Sequence, residues 1–122
     1  MTRYFAELDN DKNVIRVVVT DIDFLNTLPN SKNFVETDRY TRNNINHKGQ
    51  TALRGNSANI GDHYDTVKDI FYRQNPFPSW TFDNSKLDWK APKEYPVVTD
   101  ELTHYTWNEN LQEWDLQEYV GL

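Results

Sequence analysis

With 122 residues and 14.5 kDa, the chain has room for one domain or two very small ones, and it is too short for a large multidomain enzyme. Thirteen Lys and Arg against nineteen Asp and Glu give a net charge of −6, which repels phosphate backbones and anionic lipid, so neither nucleic acid nor a membrane is an expected partner. Only 37% of the residues are hydrophobic while 14% are aromatic, so the buried area must come largely from Tyr, Phe and Trp rings, and with no Cys there is neither a disulfide framework nor a thiolate zinc site.

Taken in order, Tyr4-Phe5-Ala6-Glu7-Leu8 and Val14-Ile15-Arg16-Val17-Val18-Val19-Thr20 are β-branched or aromatic runs on either side of Asp9-Asn10-Asp11-Lys12-Asn13, a pattern that predicts a β-hairpin. Asp21 or Asp23 can cap a short helix reaching Leu28, with Ile22, Leu25 and Leu28 on one face and Pro29 ending it. A strand is expected from Asn33 to Thr41. From Arg42 to Gln50 the chain is polar and without periodicity, so 43–62 is expected to be a loop or linker between an N-terminal region (1–42) and a Trp/Tyr-rich region (63–122), and 43–48 to be mobile.

The second region holds twelve of the seventeen aromatics, including all four Trp, and four of the five prolines, which marks a change of construction. Trp80 to Trp89 and Trp107 to Trp114 read as a duplicated hairpin with a two-residue difference in length, each closing a polar, Asn-containing turn between facing indoles. Each second Trp is followed by a Tyr, Tyr95 or Tyr119. The expected fold is therefore mainly β with one short helix, β or α+β: an N-terminal hairpin region and an aromatic-rich β-hairpin region.

Motifs for chemistry are sparse. Asp9-Asn10-Asp11-Lys12-Asn13 begins like a calcium loop but has Val14 where that loop needs Gly and Thr20 where it needs a bidentate Glu. His47, His63 and His104 lie far apart with no Cys beside them, and none of the serines sits in a nucleophile elbow. No catalytic residue, metal ligand or cofactor is indicated. Trp80, Trp89, Trp107 and Trp114 are either the core of a small domain short of aliphatics or a stacking platform for sugars. The charge pattern is sharper: Arg39, Arg42, Lys48 and Arg54 fall in a stretch without acids, whereas Asp100 to Glu118 carries six acids, among them Glu109, Glu113 and Asp115, and no Lys or Arg. These two blocks are the candidate interaction surface, facing copies of the same chain or a larger protein.

Several pieces in order, Tyr4-Phe5-Ala6-Glu7-Leu8-Asp9, Ala52-Leu53-Arg54-Gly55-Asn56, Ile60-Gly61-Asp62-His63-Tyr64-Asp65, Pro76-Phe77-Pro78-Ser79-Trp80, Trp89-Lys90-Ala91-Pro92 and Tyr105-Thr106-Trp107-Asn108-Glu109, resemble a family of small proteins of marine tailed bacteriophages, the cyanophages especially. Asp62 and His63 stand where that family more often carries apolar, aromatic or hydroxyl residues. The resemblance implies a non-enzymatic virion structural or accessory protein, in the tail or on the head, made in the host bacterial cytoplasm and docking onto larger phage proteins. A carbohydrate-binding module for host attachment and a tail-fibre assembly factor are the alternatives.

Overall fold

The structure, a computed structural model, describes residues 2–118 and is mainly β, as the sequence predicts. By contact it divides into two compact units. The first runs to Gln74 and takes back Asn84–Asp88; the second holds Asn75–Asp83 and resumes at Trp89. The boundary thus differs from the one expected at 43–62.

In the first unit the predicted hairpin forms from β1 (Thr2–Leu8) and β2 (Val14–Asp21), and β3 (Phe34–Thr37) pairs with the other edge of β1, giving an antiparallel sheet of order β2-β1-β3. Ala6 lies between Val17 and Val35 in register, and Ile15 is an extra residue opposite the Glu7/Leu8 step. The 9–13 turn is closed by the Asp9 carboxylate, which accepts the N–H groups of Asp11 and Asn13, with Lys12 left-handed at φ 68. That arrangement uses Asp9 as a turn cap. Successive residues of β1 point to opposite faces, and both faces are covered. Ala6 and Leu8 join Val14, Ala58 and Phe71 in one buried cluster, while Phe5 is buried on the other side.

The helix α1 is a single turn, Ile22–Leu25, capped by the Asp21 side chain accepting from the Asp23 N–H. It stops short of the predicted Leu28 because the Thr27 and Leu28 N–H groups bond three residues back, to Phe24 and Leu25, tightening the chain before Pro29. The predicted strand at Asn33 to Thr41 is likewise shorter, ending at Thr37.

The stretch 43–62 is built into the first unit. Asn43 (φ 50) and Asn44 (φ 61) form the two-residue turn of a small hairpin between β4 (Thr41–Arg42) and β5 (Ile45–Asn46), since two successive left-handed residues match the twist of the flanking strands. Asn56, buried, donates to the carbonyls of Phe71 and Leu87 and accepts the Asn43 N–H. The Ala58 N–H donates to Thr37, and the Ser57 N–H to the Thr41 carbonyl. A polar composition reads as linker, yet here the polar groups satisfy buried backbone. Gly55 is required at φ 74: a Cβ there would stand 2.8 Å from Ile70 and 2.9 Å from Leu87.

The aromatic repeat differs from its predicted form. β6 (His63–Asp65) and β7 (Ile70–Tyr72) pair with Tyr64 opposite Phe71; β10 (Thr103–Asn108) and β11 (Glu113–Glu118) pair with Trp107 opposite Trp114; β8 (Thr81–Asp83) and β9 (Asp88–Lys90) form a third hairpin. In all three, rings seven residues apart touch: Tyr64 and Phe71 at 5.0 Å, Phe82 and Trp89 at 5.4 Å, Trp107 and Trp114 at 5.1 Å between centroids. Two residues before each second ring comes a left-handed residue, Asp69 (φ 56), Leu87 (φ 52) or Gln112 (φ 49). Asp65 accepts the Lys68 N–H and Asn108 the Leu111 N–H, each three residues on. Three copies of equal length are therefore present among the described residues, and the middle one begins at Phe82, with Trp80 outside it. The expected duplication from Trp80 with unequal loops is corrected, because the Asx acceptor and the left-handed residue fix the loop. Tyr119 lies outside the described residues.

Replacing Asn56 by Ala would strand two buried carbonyls and one N–H. Unsatisfied buried groups cost about 1–3 kcal/mol each, so Asn56→Ala should lower unfolding free energy by on the order of 3 kcal/mol in a urea titration, with its secondary structure retained in circular dichroism before the transition.

Candidate functional site

A groove on the first unit, about 540 Å³, opens where the β1–β2 face meets the 57–60 segment. Tyr4, Val17 and Val19 form its floor, Ala58 and Ile60 one wall, and Arg39 and Arg42 the basic rim. Val19 is 57% exposed and Ile60 73%, so the groove offers apolar surface to solvent. Arg39 lies over the Tyr4 ring at 5.7 Å, which holds its planar head beside the floor. Neither arginine makes an ion pair among the described residues.

Asp38 lies between these arginines in sequence and lines the same groove, but its oxygens are already taken. Its carboxylate accepts from the Ser57 and Thr41 hydroxyls at 2.5 Å each, from the N–H groups of Tyr40 and Thr41, and from the Asn46 amide at 3.2 Å. Burial raises its pKa, but the hydroxyls of Ser57 and Thr41 and the two N–H groups outweigh that and hold it below the ordinary carboxylate value. Asp62, buried beside the groove, is pushed up by burial, against the pull of the Asn59 N–H and of the Arg42 charge. Asp38 is therefore held ionised, with its lone pairs occupied by these donors. What the groove can do chemically is donate from guanidinium groups to an anion while its floor takes an apolar group. Ser57 already gives its proton to Asp38, whose lone pairs are saturated, which leaves this pair without the free base that a nucleophilic serine needs.

The remaining predicted basic residues go elsewhere. Arg54 pairs with Asp69 at 2.9 Å and donates to the Glu36 carbonyl, and the Lys48 ammonium sits 5.2 Å from the Tyr40 ring. The basic block is thus split: Arg39 and Arg42 share a groove, whereas Arg54 braces the fold.

In the second unit the acids are divided in the same way. Glu109 accepts from the Ser79 N–H, the Ser79 hydroxyl at 2.6 Å and the Trp107 indole N–H at 2.8 Å, which together lower its pKa, and Asp115 accepts from Asn108. Glu113 is exposed and makes no side-chain bond among the described residues. Trp107 is buried and meets Trp80 at 6.0 Å as well as Trp114; Trp114 in turn meets Tyr95 at 5.0 Å and donates its indole N–H to the Lys93 carbonyl. For Trp107 this is core packing. Trp89 pairs with Phe82 instead of the predicted Trp80.

Sequence reasoning missed Tyr4, Val17, Val19 and Ile60 as groove residues, since an exposed valine in a hairpin carries no label. It also missed the Asp38 hub, for which Asp38 followed three residues later by Thr41 was the available signal. Among the described residues no His, Cys, Asp or Glu cluster is placed to hold a metal, and no helix is long and apolar enough to cross a membrane. Compared with protein-family models, with curated proteins and with solved structures, the chain matches none.

Two outcomes follow from this geometry. Since Asp38 has a lowered pKa in the folded state, its stabilisation is complete above the unfolded value of about 4 and is lost as pH falls through the folded value. Asp38→Asn should therefore melt several degrees below the wild type at pH 7, and the gap should close as the pH is taken from neutral down through the folded value in thermal scans. Trp107→Ala, which empties a buried indole site, should cost roughly 3–5 kcal/mol in denaturant unfolding.

Proposed function

We propose that this chain is a non-enzymatic structural or accessory protein of a tailed-phage virion, docking through protein–protein contacts onto larger phage proteins and onto copies of itself. The observation that carries this reading is the groove: two arginines without carboxylate ion-pair partners among the described residues, set beside exposed Val19 and Ile60 in a chain of net charge −6. Guanidinium groups next to aliphatic surface are protein-contact chemistry, and Arg is enriched where proteins meet. The other polar side chains of the groove region, Ser57, Thr41 and Asp38, spend their hydrogen bonds on the fold itself. The ordered pieces resembling cyanophage proteins supply the virion context.

Mass spectrometry of purified virions of the phage that encodes the chain tests this. The expected result is detection at a fixed ratio to a major tail or head protein, with Arg42→Glu reducing incorporation. Absence from particles while the chain accumulates in infected cells would overturn the reading in favour of an assembly factor. A sugar-binding module has one feature on its side, the Tyr95 ring, 46% exposed at the edge of the Trp cluster. Glycan-array binding abolished by Tyr95→Ala, with no particle association, would replace docking by that function.

A further inference from the structure

The loop of the β10–β11 hairpin is an unusual surface. Leu111 is 65% exposed and Glu113, two residues on, is exposed and makes no side-chain bond among the described residues. The backbone beneath them is fixed: Asn108 accepts the Leu111 N–H at 3.1 Å, Gln112 is left-handed at φ 49, and Asn108 pairs with Glu113 across the strands. An apolar knob and a carboxylate are therefore presented together on a rigid turn, inside a stretch, Asp100 to Glu118, that has no Lys or Arg to neutralise it.

The groove on the first unit has the complementary chemistry. Its floor and wall expose Val19 and Ile60 to an apolar side chain, and its rim carries Arg39 and Arg42 without ion-pair partners among the described residues. Asp38 cannot serve them, since hydroxyl, amide and backbone donors already fill its oxygens. We propose that the Leu111–Glu113 loop of one copy seats in the Arg39/Arg42 groove of a second copy, Leu111 against Val19 and Ile60 and the Glu113 carboxylate on the guanidinium rim. This names one partner within the docking reading above and rests on that reading. The two surfaces are different, so each copy offers one of each: two copies can exchange loops reciprocally, or the contact runs head-to-tail from copy to copy. Charge sets orientation and association rate, and the leucine adds apolar burial.

Sedimentation velocity on the full-length chain, over a concentration series at about 50 mM and about 500 mM NaCl, tests it, since such salt shortens the screening length well below 10 Å. The wild type should form dimers or larger species at low salt and fewer at high salt. Arg42→Glu and Glu113→Arg should each weaken association about tenfold or more, and the double exchange should restore it to within about threefold. Leu111→Asp should weaken it in the same way. All three positions are at the surface, and unchanged circular dichroism and melting would show that the variants fold. A wild type that stays monomeric at every concentration, association indifferent to salt and to both reversals, or a double exchange no better than either single one would each overturn the proposal. A monomer that is nevertheless found at fixed ratio in virions overturns only the self-contact; association in solution with absence from virions overturns only the docking reading.

Discussion

The Asp38 carboxylate holds together the part of the molecule on which the groove depends. Three segments give it hydrogens: residues 40–41 through two backbone N–H groups and the Thr41 hydroxyl, Ser57 from the 56–58 crossing, and Asn46 from the small hairpin. Charge-assisted bonds of this kind are roughly twice as strong as neutral ones, and several converging on one anion make it costly for any segment to leave. The consequence is positional. Arg39 and Arg42 flank this anchored stretch on either side, so their backbone is fixed while their heads stay outside, and Ala58 is carried against the Val14 and Phe71 cluster by the neighbouring Thr37 contact.

A molecule with so few aliphatics needs such hubs. The first unit's cluster is Ala6, Leu8, Val14, Ala58 and Phe71, with Val17, Val35 and Tyr64 partly buried around it. That is little apolar area for a unit of this size, and Asn56, Thr37 and Thr41 are as deeply buried as the hydrophobes. Each buried polar side chain is spent on a backbone group or on another hub, which is the condition under which burying it stabilises instead of costing. In the second unit rings carry the same load. Edge-on contacts among Trp80, Trp107, Trp114 and Tyr95 build a core in which polar handles reach out to Glu109 and the Lys93 carbonyl.

The sequence made some of this legible. Alternating β-branched residues around an Asp/Asn turn announce the β1–β2 hairpin, and aromatic pairs around Asn-containing turns announce the last one. Reading 43–62 as a linker failed because polarity was taken for solvent exposure; Asn46, Asn56 and Ser57 are polar because they face buried backbone. The Asn43-Asn44 pair, which favours left-handed turns, was the overlooked cue. The third copy of the aromatic hairpin was missed since Tyr64 and Phe71 contain no Trp, and only the ring spacing of seven residues unites them with the others. Of the charge blocks, sequence gave the sign and the neighbourhood. Which charges are free is a tertiary property: Arg54 and Glu109 look like Arg42 and Glu113 in a sequence and are committed in the fold.

Leu87 bears on how the chain can be dissected. It is a left-handed residue in a hairpin loop, a conformation that costs a non-glycine residue on the order of 1 kcal/mol, yet its side chain is buried against Gly55 and its carbonyl receives the Asn56 amide. Residues 84–88 thus complete the first unit from within a hairpin whose strand residues Thr81–Asp83 and Trp89 belong to the second. A truncation after Gln74 would remove that plug, baring Ile70 beside Gly55 and leaving the Asn56 amide one acceptor short. The two units are distinct in contact and interleaved in sequence, so a recombination that keeps the first unit whole must carry the chain from the first strand through Asp88, and with it the second unit's Asn75–Asp83.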